Sequence, residues 1–171
     1  MTPKSGTPTP RWTATFAVVA ALLLAGCGGT PGVFNPNGSG TAAGGGVATP
    51  GSAQDFALNV GDRVFFESDS TVLSDQARAT LDRQAAWLAQ YPRQSILIEG
   101  HADERGTREY NIALGARRAA ATREYLAARG VPQNRIRTLS YGKERPVALC
   151  NDISCWSQNR RAVTLVDNAG A

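Results

Sequence analysis

Histidine is nearly absent from this 171-residue chain: there is one, His101. It follows an apolar stretch with no second His or Cys close by, which argues against a zinc centre. No Ser or Cys nucleophile is paired with a base, so covalent catalysis has no obvious machinery. A structural hydrogen bond is the expected use of the His101 ring. Acids are missing from the first 54 residues, and between Gly28 and Gln54 there is no charge of either sign. Blocks of one charge are missing too. Beyond Gln54, Lys and Arg alternate with Asp and Glu, so the formal charge of +4 carries no nucleic-acid footprint. The main apolar run, Trp12 to Ala25, is too short to cross a bilayer comfortably as an ordinary helix.

Residues 1–26 have the three-part layout of an export signal: basic Lys4 and Arg11, the apolar run, then small residues before Cys27. Leu24-Ala25-Gly26-Cys27 resembles the bacterial lipobox, in which the Cys is lipidated and becomes the new N-terminus; a plain secretory peptide is the alternative. Lipid on Cys27 is the one covalent group expected, with no cofactor, and several acyl chains on one residue anchor stably where a single chain is marginal. Gly28 stands where an inner-membrane retention signal would often have Asp. The resemblance therefore favours the outer membrane, with the domain in the periplasm. Residues 28–54 are dominated by Gly, Pro, Thr, Ser and Ala and read as a flexible tether. Its root-mean-square reach is roughly 30 Å, and full extension about 90 Å.

The folded domain is expected over 55–171, a common single-domain size. Val60–Glu67 reads as a strand ended by the turn formers Ser68-Asp69-Ser70. Ser74 is placed to cap a helix from Asp75 to about Gln90, with Ala77, Leu81, Ala85 and Leu88 on one face; Tyr91-Pro92 stops it. Ser95–Glu99 is nearly all apolar, as a central covered strand would be. Thr107 caps a second helix to about Arg129, ended by Gly130-Val131-Pro132. Its apolar residues fall on two sides, Ile112/Ala116/Ala119/Leu126 and Leu114/Ala121/Tyr125, and periodicity leaves open which meets the sheet. Ile136–Tyr141 and Ala162–Val166 are two further strands. The order βαβαββ implies an α+β two-layer sandwich, a mixed sheet with both helices on one face.

The stretch from Gly100 to Arg118, GHADERGTREYNIALGARR, places Asp103 in a turn after a strand and Arg118 on the following helix. A carboxylate and a guanidinium on two sides of one cleft suit a ligand with an ammonium and a carboxylate on one carbon. Asn111, Leu114 and Arg118 lie at i, i+3 and i+7 and share a helix face. The residues alone leave another reading open, an intramolecular Asp103–Arg118 salt bridge or an Asp103 helix cap. Glu104 and Arg105 read as solvated turn charges or local ion pairs, and Arg160-Arg161, at a strand start, as solvent-facing. Cys150 and Cys155 would form a disulfide in an oxidising compartment, with two free thiols as the alternative.

GHADERGTREYN, LGARRAA, SYGKERP and SQNRRAV together resemble the OmpA C-terminal-like family, in its lipid-anchored branch, over about Val64 to Val166. The resemblance implies a non-enzymatic module that holds the meso-diaminopimelate of uncrosslinked peptidoglycan stems. It implies Asp103 on the ligand ammonium and Arg118 on its carboxylate, with Asp69 lining the same site. Ser68, Ser70, Thr71, Asn111 and Leu114 would complete the lining. It further implies work with the Tol proteins, including competition between TolB and peptidoglycan, in tying the outer membrane to the wall and supporting cell division. The match departs at Ser68, where relatives often have an aromatic residue, and at the Cys pair. A wall amidase or glycosidase sharing the substrate would need a catalytic set that is not seen; Asp103 and Glu104, being adjacent, lack the separation of a glycosidase acid pair. A flagellar-stator anchor or barrel fusion would need a membrane-spanning segment in 28–54, and none is there.

Overall fold

A computed structural model of the chain describes residues 48–167. The expected leader (1–26), Cys27 with its expected lipid, and most of the expected tether lie outside the described residues. Among those described, no helix is long and apolar enough to cross a membrane.

Folded structure begins before the expected Asp55 boundary. Ser52 Oγ accepts from the Asp55 N–H at 3.1 Å and caps the short helix α1 (Ala53–Asp55), which runs directly into a π-helical turn, Phe56–Gly61. Side chains farther along the chain hold this start down. Asp55 Oδ2 accepts from Trp87 Nε1 at 2.8 Å, and Phe56 is buried edge-on against Trp87 with ring centroids 4.9 Å apart. Gln94 Nε2 donates to the Gly51 carbonyl at 3.1 Å. The expected strand at 60–67 shortens to β1 (Arg63–Phe65) for the same reason. The Val60 and Gly61 carbonyls are taken by Arg83 and Gln84, so they are not available to a ladder.

Helix α2 (Asp75–Gln90) is capped by Ser74, whose Oγ accepts from Ala77 N–H at 3.2 Å, and ends at Tyr91 before Pro92. Ala77, Leu81, Ala85 and Leu88 are buried as the periodicity required. Strand β2 (Ser95–His101), helix α3 (Arg108–Ala128), strand β3 (Ile136–Gly142), helix α4 (Ile153–Asn159) and strand β4 (Arg161–Asp167) follow. The sheet order is β1-β4-β2-β3, with β2 and β3 parallel and β4 antiparallel to both β1 and β2. Ile98 and Thr164 are partners in register, so they and Gly100 share a face. Gln84 of α2 meets Thr164 at 3.0 Å, and Gly115 of α3 meets Gly100. Both long helices therefore cover that face, the two-layer α+β arrangement read from the sequence.

Neither expected side of α3 alone faces the sheet. Its buried residues are Asn111, Leu114, Gly115, Arg118, Ala119, Thr122 and Leu126, a stripe that takes members of both sides. The stripe is set by close approach. A Cβ on Gly100 would lie 1.9 Å from the Gly115 carbonyl oxygen, and one on Gly115 would lie 2.4 Å from Ser140 Oγ. Two glycines facing one another let a helix and a strand touch backbone to backbone.

Helix α4, between β3 and β4, has no counterpart among the elements expected from the sequence. It is short and carries an exposed Ile153, so it shows no long apolar period. Asn159 ties its end to the preceding loop, accepting from the Val147 and Ala148 N–H groups and donating to the Ala148 carbonyl. A Cys150–Cys155 disulfide, with a Cα–Cα distance of 5.5 Å, joins the same loop to the first turn of α4.

Candidate functional site

Two turns meet at the carboxyl end of β2. One is Glu67 to Ser70, after β1; the other is Ala102 to Gly106, after β2. Asp69 has φ 54°, a left-handed conformation that Asp tolerates better than most residues. Between the turns and the first turns of α3 is a cleft of about 270 Å³. Ser68, Asp69, Asp103, Asn111 and Leu114 line it, five of the positions expected from the sequence, together with Arg105, Gly106 and Tyr110.

Arg118 is not in the lining. It is fully buried, and its guanidinium holds the cleft together from behind. Nε donates to the Ser70 carbonyl at 2.9 Å, Nη1 to that of His101 at 2.8 Å and Nη2 to that of Glu67 at 3.1 Å. One side chain from α3 thus fixes both turns. Burial pulls its pKa down to about 10, partly opposed by the charge of Asp103. Ser70 contributes its carbonyl to this clamp, and its Oγ accepts from the Val72 N–H. Thr71 lies on a separate shallow groove between α2 and α3.

No Asp103–Arg118 salt bridge forms. Asp103 is nearly buried and is paired with Arg105, Nε to Oδ1 at 3.0 Å and Nη2 to Oδ2 at 2.7 Å. The Arg105 backbone N–H adds a bond to Oδ1 at 3.2 Å, and Arg160 Nη1 lies 3.5 Å from Oδ2. Burial works to raise the Asp103 pKa. The Arg105 and Arg160 bonds outweigh it and hold the carboxyl below its usual value. Across the cleft, Asp69 Oδ1 accepts from the Tyr110 hydroxyl, and this bond raises the Tyr110 pKa. Asn111 is buried and donates to the Arg105 carbonyl at 2.7 Å.

Other expectations change. Arg160 and Arg161 are buried, not solvent-facing. Arg160 Nε donates to the Phe66 carbonyl at 3.0 Å, and Arg161 donates to the Asn159 and Arg145 carbonyls. The His101 ring makes no hydrogen bond; both nitrogens are buried without a partner, and Glu99 Oε2 is 3.6 Å away, just beyond hydrogen-bond reach. Burial first, then the charges of Arg161 and Arg145, lower its pKa to about 4. The sequence reading missed Tyr110 and Arg105. Tyr110 was findable, since it lies at i−4 from Leu114 on the same helix face. Arg160 had no local signal, because its partners are more than fifty residues away.

A four-stranded mixed sheet with two helices on one face and an acidic cleft at the end of the central strand define the OmpA-like class of α+β domain. The chain belongs to the OmpA family, whose model matches residues 65–160. The peptidoglycan-associated lipoprotein of Rhizobium meliloti is 66% identical over 91% of this chain and 88% of its own length. A crystal structure of the peptidoglycan-associated lipoprotein from Burkholderia pseudomallei is 41% identical with a TM-score of 0.64, covering 68% of this chain and all of that one. The C-terminal domain of Helicobacter pylori MotB is 24% identical with a TM-score of 0.57, over 62% of this chain and 84% of that one, and shares the fold.

Proposed function

We propose that this chain is an outer-membrane lipoprotein, anchored through acylated Cys27, whose domain binds the meso-diaminopimelate stem of peptidoglycan without chemical turnover. The observation that carries the reading is the cleft itself: Asp69 and Asp103 face one space on an OmpA-family domain, and the relatives cited are named for association with peptidoglycan. Two carboxylates with Ser68 and Asn111 beside them suit an ammonium flanked by hydrogen-bonding groups. Asp103 takes the ammonium. Arg118 takes the ligand carboxylate with the N–H on each Nη that no carbonyl engages, a fork suited to bidentate pairing. Since Arg118 is closed to solvent, that capture requires the Ser68–Asp69 turn or the Arg105 side chain to shift. In this reading the chain, with TolB and other Tol proteins as partners, ties the outer membrane to the wall and supports envelope integrity during division.

The test is a calorimetric titration of the 171-residue chain with a stem peptide carrying meso-diaminopimelate, beside the same peptide carrying lysine. Binding of the first alone supports the reading, because only the diaminopimelate has the second carboxylate. Equal binding, or none by a folded chain, overturns it. Radiolabelled palmitate entering the wild-type chain but not Cys27→Ser tests the anchor.

A further inference from the structure

Asp103 is already occupied. A carboxylate offers about four acceptor positions, and here Oδ1 takes the Arg105 N–H and Nε while Oδ2 takes Arg105 Nη2 and faces Arg160 Nη1. An incoming ammonium must displace a donor. Arg160 is buried and fixed to the Phe66 carbonyl, and Arg118 acts on Asp103 only as a buried charge behind the turn. The Arg105 side chain is the movable group, 43% exposed. It also bars the cleft, because Nη2 reaches across to Ser68 Oγ on the opposite turn at 2.8 Å.

Trp156 backs this bar. The Arg105 guanidinium lies 4.2 Å from the Trp156 ring centroid, and the indole N–H donates to Glu104 Oε1, which orients the ring. Trp156 is half-buried in α4, next to Cys155, whose disulfide to Cys150 ties that turn to the preceding loop. The Trp156 ring face meets Arg105 in the position where Arg105 is paired with Asp103. Such a contact strengthens the closed arrangement at the expense of the open one.

We infer that Arg105 is a built-in competitor for the Asp103 carboxylate, and that Trp156 is the positioning residue that holds it there and so sets how readily the site admits an ammonium-bearing ligand. The inference rests on the proposed stem-peptide reading for the identity of that ligand, but not for the Arg105–Trp156 latch.

The experiment uses the 171-residue chain, wild type and R105Q, W156A, W156F and R105Q/W156A, with two readouts: affinity for the diaminopimelate stem peptide and the Asp103 carboxyl titration followed by carbon NMR. R105Q is expected to bind about fivefold to tenfold tighter, and W156A about threefold to fivefold tighter, as loss of a partly exposed cation–π contact implies. W156F, which keeps an aromatic face, stays within about twofold of wild type. W156A adds nothing in the R105Q background, the signature of one residue acting through the other. R105Q and W156A both raise the Asp103 titration midpoint, and W156F leaves it in place. Weaker binding by R105Q overturns the inference, since Arg105 would then grip the ligand. Unchanged affinity and titration in W156A overturn it as well. If the wild-type chain binds no stem peptide, the ligand reading falls, and the Asp103 titration alone decides whether the latch exists.

Discussion

The Arg118 guanidinium donates to the His101 carbonyl at 2.8 Å from a position closed to solvent, and its other two nitrogens hold the Glu67 and Ser70 carbonyls. A guanidinium spreads its donors in a rigid planar fork, so one residue can fix two chain segments that are far apart in sequence. The acids that line the cleft, Asp69 and Asp103, stand on those two segments. Arg118 therefore shapes the site whether or not a ligand ever touches it.

Arg118→Ala would leave three carbonyls without their donor and a cavity beneath the cleft. We expect a loss of about 3–5 kcal/mol of stability, read as a lower urea midpoint at unchanged slope. Arg118→Lys, one donor centre in place of three, should recover only part of it. A change below about 1 kcal/mol for Arg118→Ala would show that the clamp does not hold the turns.

Glycine substitutions should separate two mechanisms. Gly100→Ala drives a Cβ to 1.9 Å from the Gly115 carbonyl oxygen, a backbone atom that cannot move without shifting α3. It is expected to cost about 3 kcal/mol or more. Gly130 has φ +92° at the end of α3 and open space around it. Gly130→Ala should cost only about 1 kcal/mol, from the left-handed conformation alone. Thermal unfolding of the two variants side by side decides it.

Acid should weaken the fold through His101. Its folded pKa is lowered to about 4 against an ordinary 6.5, so between these values the unfolded chain binds more protons than the folded one. Stability contributed by the neutral ring is present above pH 6.5 and is lost as pH falls towards 4. Asp103, with its pKa also depressed, adds a further loss only as pH drops below its ordinary value of 3.8. Urea midpoints from pH 7 to 4 should fall in wild type and flatten over that window in His101→Gln. An identical pH dependence in the two would remove His101 as the cause.

The Cys150–Cys155 bond closes a ring with a sequence separation of 5, for which chain entropy gives about 2 kcal/mol. Cys150→Ser/Cys155→Ser should lose no more than about that much stability. The Asn159 side chain keeps its bonds to Val147 and Ala148, and the loop apolars Val147 and Leu149 are exposed, so little packing depends on the crosslink. A much larger loss would mean that the disulfide organises α4 as a whole.

Much of the fold was legible because its signals are local. Ser74 and Thr107 cap the helices that their spacing to the following apolar residues announced, and Pro92 ends the first. The order of elements and the interior position of β2 followed from periodicity and an all-apolar run. Helix α4 was not legible, since its short span shows no amphipathic period and its anchors, Asn159 and the disulfide, act across the loop. The buried stripe of α3 was mixed between two candidate faces because the contact is set by Gly100 against Gly115, and glycine carries no hydrophobic signal.

The sequence by itself determined the four strands and the two long helices, their order and the residue types around the cleft, because capping, periodicity and turn formation act within a few residues. Only the tertiary structure decided how the charges pair. Asp103 and Arg118 share a motif, yet the acid went to Arg105 and the guanidinium to three backbone carbonyls. That allocation depends on which groups lose water together and which carbonyls face inward. The Asp103–Arg105 pair is a local ion pair of the kind the turn sequence allowed, whereas the partners of Arg118 are fixed by Glu67 and Ser70 arriving from distant parts of the chain, which no local pattern encodes.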